Sequence, residues 1–158
     1  MPRSQTSRWA LAAWLSLAAV LYVTLLPFEF EDHRLAEGWR HFTALRPGGM
    51  QVADRQQWVA NVLMFLPLGF FWNGWLQAGV HGRVAAWAVG GTVVALGAVT
   101  TATVEFLHFW IPHREPSLLD MSGNALGALL GVLAWHGLAG RRGGRLLRRL
   151  QGGGAEGL

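Results

Sequence analysis

Four stretches of the chain are almost wholly apolar, and each is about as long as a bilayer is thick. They run from Trp9 to Leu26, Trp58 to Val80, Val84 to Val104 and Leu118 to Leu138. Each holds roughly 18 to 23 residues, which at ~1.5 Å per helical residue crosses a ~30 Å hydrocarbon core. The pattern predicts an all-α integral membrane bundle of four transmembrane helices. The long first loop, Phe28 to Gln57, is different in kind. Leu35, Trp39, Phe42 and Leu45 recur there at helical spacing between polar residues. That predicts a short helix lying in the membrane interface, with Pro47-Gly48-Gly49 as its stop.

Arg3 and Arg8 precede the first apolar run, the arrangement of a signal peptide. The run is long, however, and no small-x-small cleavage pattern follows it, so an uncleaved signal-anchor helix is expected. The basic residues set the orientation. Arg3 and Arg8, then Arg83, then Arg141, Arg142, Arg145, Arg148 and Arg149 fall in the three segments that four spans place on one side. By the positive-inside rule that side is the cytoplasm, so both termini are expected there, in the plasma membrane. The first loop balances acidic against basic residues and faces outward with the segment around Arg114. The resulting division is a cytoplasmic tail over 1–8, a membrane domain over 9–138 and a Gly- and Arg-rich, disordered cytoplasmic tail over 139–158.

Composition agrees with that reading: 52% of residues are hydrophobic and 14% charged, where a soluble domain carries about a quarter charged. With no cysteine, disulfides and thiolate metal sites are excluded. All thirteen basic residues are Arg, which we read as compositional drift. The net charge of +4 lies at the chain ends beside apolar spans, so it points to a membrane surface and not to nucleic acid.

The up-and-down order brings Asn61, Glu105, Arg114, Asp120 and Asn124 to one water–lipid boundary. Ionisable groups there are costly to hold and are functional candidates by default. On the last span Asp120, Asn124, Gly127 and Gly131 share a face. Gly123, Gly127 and Gly131 form a small-xxx-small stripe, which serves packing within the chain or a homodimer equally well. Asp120 has a plain alternative as a charge at a helix N-terminus, after the start signals Pro116 and Ser117. Glu105 follows an uncharged run and needs a partner. Arg114 is placed either to bridge Glu105 and Asp120, locking two helices, or to clamp an external phosphate or carboxylate. Asn61 either supplies an amide to that site or hydrogen-bonds between helices, while Pro67 on the same span bends it. Glu105-x-x-His108 with His113 is not a recognised zinc spacing, so neither metal nor cofactor is expected. No nucleophile elbow or phosphate loop is present.

Together these motifs resemble the VanZ-like family of bacterial membrane proteins. The matching pieces are Leu25-Leu26-Pro27-Phe28, Asn61-Val-Leu-Met-Phe65-Leu-Pro67-Leu-Gly69-Phe70, and Glu105-x-x-His108 followed by Arg114, Asp120, Asn124 and Gly127. The ordered set covers roughly Leu21 to Trp135. The resemblance implies a small multi-span protein with Asn61, Glu105, Arg114, Asp120 and Asn124 as its polar motif residues. The family's namesake is associated with low-level resistance to the glycopeptide teicoplanin, which the resemblance alone does not establish for this chain. The family usually has Gln where His108 stands and an acidic residue where Leu119 stands. The first departure argues against a shared metal site, and the second weakens a two-carboxylate mechanism.

Three functions remain in view. The first is a cell-envelope membrane protein with an outward polar site for an anionic or amide-rich molecule: a lipid headgroup, a cell-wall precursor or a lipoglycopeptide. The second is an enzyme on such a molecule, with Glu105 or Asp120 as acid or base. The third is a structural or assembly module whose cluster only locks helices.

Overall fold

Backbone N–H and C=O groups in hydrocarbon must be satisfied within the segment, so the apolar stretches fold as helices. The structure is a computed structural model that describes residues 3–46 and 52–139. It contains α1 (Arg3–Leu25), α2 (Leu35–Thr43), α3 (Val52–Leu76), α4 (Arg83–His108) and α5 (Leu118–Ala139). Four of these are long and apolar enough to span a membrane: Thr6–Leu25, Asp54–Leu76, Arg83–His108 and Leu118–Leu138. The short α2 lies where the first loop's periodicity predicts it.

The helices outrun the apolar stretches that announce them. α1 begins within the predicted tail, α3 starts six residues before Trp58, and α4 continues past Val104 to His108. Hydropathy marks where hydrocarbon ends, whereas a helix goes on until its backbone bonding is stopped. The Pro47-Gly48-Gly49 stop and the basic tail after Ala139 lie outside the described residues.

The glycine stripe of α5 decides the packing. A Cβ on Gly123 would meet the Trp58 carbonyl at 3.0 Å, and one on Gly127 or Gly131 would overlap the Val62 or Leu66 carbonyl. Residue numbers rise together along both helices, so α3 and α5 run parallel, with the α3 backbone seated on the stripe. Small residues permit this approach, which van der Waals contact then stabilises. Within the chain, α3 thus takes the face that would otherwise serve a homodimer. Across α4 the register runs the other way. Gly97 sits against Ala128, Asn124 bonds to Thr101, and Gly90 faces Val132 and His136, so α4 is antiparallel to α5.

α1 packs antiparallel on α3, with the Trp72 indole donating to the Ala13 carbonyl at 3.0 Å. Val20, Phe65, Leu68 and Ala128 form the buried centre. α3 passes through Pro67 without interruption. An apolar groove of about 180 Å³ lies between α1, α3 and α4, lined by residues including Trp14, Leu17, Leu96 and Thr100. The Thr100 hydroxyl already donates to the Leu96 carbonyl at 2.8 Å, so the groove offers no polar chemistry.

α2 docks on the end of α4. Trp39 and Phe42 meet the Phe106 ring edge to face, and Trp110 lies directly beneath Gly38. The Trp110 indole donates to the His33 carbonyl at 2.9 Å, and Glu31 N–H donates to the Trp110 carbonyl at 2.7 Å. The first loop is therefore fastened over the α4–α5 connection, while Leu35 and Trp39 keep 70% and 60% of their surface exposed. An amphipathic interfacial helix needs such an apolar outer face.

Candidate functional site

The end of the bundle that carries the α4–α5 connection gathers the predicted residues. A cavity of about 140 Å³ there is lined by Asn61, Glu105, Arg114, Asp120 and Asn124 together with Thr24, Gln57 and His108. Gln57, His108, Arg114 and Asp120 also border a wider chamber of about 420 Å³ next to it, whose walls add Asp54, His113, Glu115 and Ser117. All five sequence candidates thus face one space. Their pairing differs from the expectation.

Glu105 is 1% exposed and does not pair with Arg114. Its Oε2 accepts the Ser117 N–H at 2.9 Å and lies 3.3 Å from His108 Nδ1. His108 Nε2 is 3.0 Å from the Thr24 carbonyl oxygen. A carbonyl only accepts, so Nε2 carries a hydrogen. One further proton shared between Nδ1 and Oε2 then satisfies both groups, as acid and imidazole or as carboxylate and imidazolium. Helix geometry makes the pair possible, because residues three apart lie on one face. α1 supplies the third member, orienting the ring by its backbone.

Asp120 stands in the first turn of α5, where the helix dipole favours a carboxylate. The cap itself is Ser117, whose Oγ accepts the Asp120 N–H at 3.3 Å. The Asp120 carboxylate accepts from Gln57 Nε2 at 2.6 Å, tying α5 to α3, and it lies within electrostatic reach of Glu105, His108 and Arg114. The Trp58 indole donates to Ser122 Oγ at 3.0 Å one turn on.

Arg114 follows His113, whose φ of 62° turns the chain between α4 and α5. Its side chain is exposed and makes no ion pair among the described residues. Of the two roles left open for Arg114, a bridge from Glu105 to Asp120 or a clamp on an outside anion, the bridge is not made among the described residues. His108, three residues from Glu105 on the same helix, and Gln57, from α3, have taken its place, and the guanidinium borders both cavities with no hydrogen bond among the described residues. Asn124 is 1% exposed. Its Nδ2 donates to Thr101 Oγ1 at 2.8 Å, and its Oδ1 has no partner among the described residues. Asn61 lines the same cavity, its side chain making no hydrogen bond among the described residues.

Among the described residues, no three His, Asp or Glu side chains converge as metal ligands. The arrangement sets a hydrogen-bonded Glu105–His108 pair, an exposed guanidinium at Arg114 and acceptor oxygens of Asn124 and Asp120 around one space.

Sequence reasoning missed Thr24, Gln57, Thr101 and Ser117. Gln57 and Ser117 lay in segments read as loop or helix start, and Thr24 acts through its backbone. It also missed a second polar cluster at the opposite end. There Gln77 Nε2 reaches Asn73 Oδ1 at 3.1 Å, the Ala86 carbonyl at 3.2 Å and His136 Nε2 at 3.2 Å. The Trp135 indole, which can only donate, bonds Gln77 Oε1 at 3.2 Å and so fixes the amide's orientation. His136 Nε2 is then an acceptor, and its ring stacks on Trp87 at 4.1 Å. The i, i+4 pair Asn73 and Gln77 on an apolar span was the available signal.

Comparison with characterised proteins and with solved structures gives no match. The VanZ/LLP1 family profile, by contrast, matches residues 9–139, a stretch that holds three spans whole, the first from its fourth residue on, and every residue of the cavity. With its four apolar helices and that match, this multi-pass membrane protein belongs to the VanZ/LLP1 family.

Proposed function

We propose that the chain is a cell-envelope protein whose outward-facing polar site binds an anionic or amide-rich envelope molecule. Lipid headgroups, cell-wall precursors and lipoglycopeptides share that chemistry. The observation that carries the reading is Arg114. An exposed guanidinium stands at the rim of a cavity whose inner wall holds Asn124 Oδ1, and among the described residues the first has no ion pair and the second no hydrogen-bond partner. Arg114 clamps the anion, and Asn61, Asn124 and Asp120 take hydroxyl or N–H groups deeper in. The positive-inside rule places this end outside the cytoplasm. The association of the family's namesake with glycopeptide resistance is consistent with a ligand from the outer surface. The helix-locking alternative keeps the Gln57–Asp120, Glu105–Ser117 and Asn124–Thr101 bonds as its support, but not an ion pair at Arg114.

Native mass spectrometry of the detergent-purified protein beside Arg114→Ala tests this. The wild type is expected to retain an envelope molecule that a folded Arg114→Ala variant loses. Equal retention, or a variant that merely unfolds, overturns the ligand-site reading.

The Glu105–His108 pair favours a second reading, acid–base catalysis on such a molecule, with Glu105 and Asp120 as the candidate groups. In that case Glu105→Gln abolishes turnover of an envelope substrate while binding persists. Purified protein that leaves every envelope fraction unaltered removes this reading.

A further inference from the structure

One wall of the 140 Å³ cavity is out of place in an aqueous site. Beside Asn61 it is formed by Val23 of α1 and by Ala60 and Met64 of α3. Val23 is 52% exposed and Ala60 is also exposed, while Glu105 and Asn124 across the cavity are each 1% exposed. Buried polar groups thus line one side of the cavity and exposed apolar side chains of α1 and α3 the other, which we take as its mouth.

The depth of that mouth gives it meaning. Val23 lies two residues from the end of the span Thr6–Leu25, and Ala60 lies six residues inside the start of Asp54–Leu76. At ~1.5 Å per residue these positions are within about 10 Å of the span ends. That is where headgroups give way to hydrocarbon in a bilayer. An apolar rim at this level faces acyl chains. The cavity has about 140 Å³ and adjoins the 420 Å³ chamber at Gln57, His108, Arg114 and Asp120, room for a headgroup at the guanidinium. The exit that exposes no hydrocarbon to water is the one between Val23, Ala60 and Met64.

We propose that the occupant is a membrane phosphate lipid that enters sideways between α1 and α3. Its phosphate lies at Arg114, its headgroup hydroxyl or N–H donors reach Asp120 and the unpartnered Asn124 Oδ1, and its chains stay in the bilayer. This inference rests on the ligand-site reading above and names the class of its ligand.

The test uses the full chain in phosphatidylcholine nanodiscs carrying a minor fraction of phosphatidylglycerol. Bound lipid is read by native mass spectrometry with and without excess soluble glycerol phosphate. Ala60→Trp and Val23→Trp each place an indole in the mouth from a different helix, outside the hydrogen-bonded cluster, so one remains if the other fails to fold. Wild type is expected to carry phosphatidylglycerol that glycerol phosphate does not displace. Each folded Trp variant, and Arg114→Ala, is expected to carry about tenfold less. Wild-type retention in both Trp variants beside loss in Arg114→Ala would mean entry from the aqueous rim, overturning lateral access and leaving the site reading intact. Displacement by glycerol phosphate overturns it in the same way. Retention unaffected by Arg114→Ala, or no phosphatidylglycerol on the wild type, overturns both.

Discussion

Glu105 Oε2 does two things at once, and substitutions can separate them. It accepts the Ser117 N–H and shares a proton with His108 Nδ1, in a place where Glu105 is 1% exposed. Glu105→Ala leaves both groups without a partner. A buried orphan costs ~1–3 kcal/mol, but interhelical hydrogen bonds in membranes average only ~0.6 kcal/mol because the unfolded reference finds other partners. The low end, about 2 kcal/mol for the two together, is the expectation. For a chain of this size that lowers the melting temperature by about 4–8 °C. Glu105→Gln restores only one bond. An amide oxygen in that place accepts from Ser117, but a neutral His108 held by Nε2–H on Thr24 has no proton at Nδ1 to give it. An amide nitrogen there donates to Nδ1 but opposes the Ser117 N–H. The expected loss is therefore about half that of Ala. Thermal unfolding in one detergent, followed by circular dichroism, ranks wild type above Gln above Ala. A Gln variant as stable as wild type would refute the dual role of Oε2. An Ala variant within about 1 °C would refute the view that Glu105 joins α4 to the start of α5.

Two further outcomes follow from the packing. Gly127→Val drives a side chain into the Val62 carbonyl and is expected to cost about 1–3 kcal/mol; unchanged thermal stability would show that α3 does not sit on the glycine stripe. Trp110→Ala removes both the support under Gly38 and the bond to the His33 carbonyl. Amide hydrogen exchange in α2 is then expected to quicken by about tenfold or more while α3 and α5 stay protected, and protection of α2 that survives the change would mean the first loop is held elsewhere.

The sequence by itself determined the four spans, their order and the gathering of five polar residues at one end. These properties are linear. A helix rises a fixed distance per residue and a bilayer has a fixed thickness, so position along the chain translates directly into depth. For that reason Asn61, Glu105, Arg114, Asp120 and Asn124 all border one cavity, as their register required. Which side chains meet at that depth depends on the rotation and separation of the helices about their axes, which only the tertiary structure decided. Backbone contact at Gly123, Gly127 and Gly131 set α3 against α5 in parallel and so brought Gln57 to Asp120. Docking of α1 delivered a backbone carbonyl to His108, a contact no residue type encodes. Once Glu105 and Asp120 had these nearer partners, Arg114 was left at the rim with its charge unpaired. The chemistry assigned to the site turns on that difference, because a guanidinium locked bidentately between two carboxylates keeps at most one of its five N–H donors for a ligand.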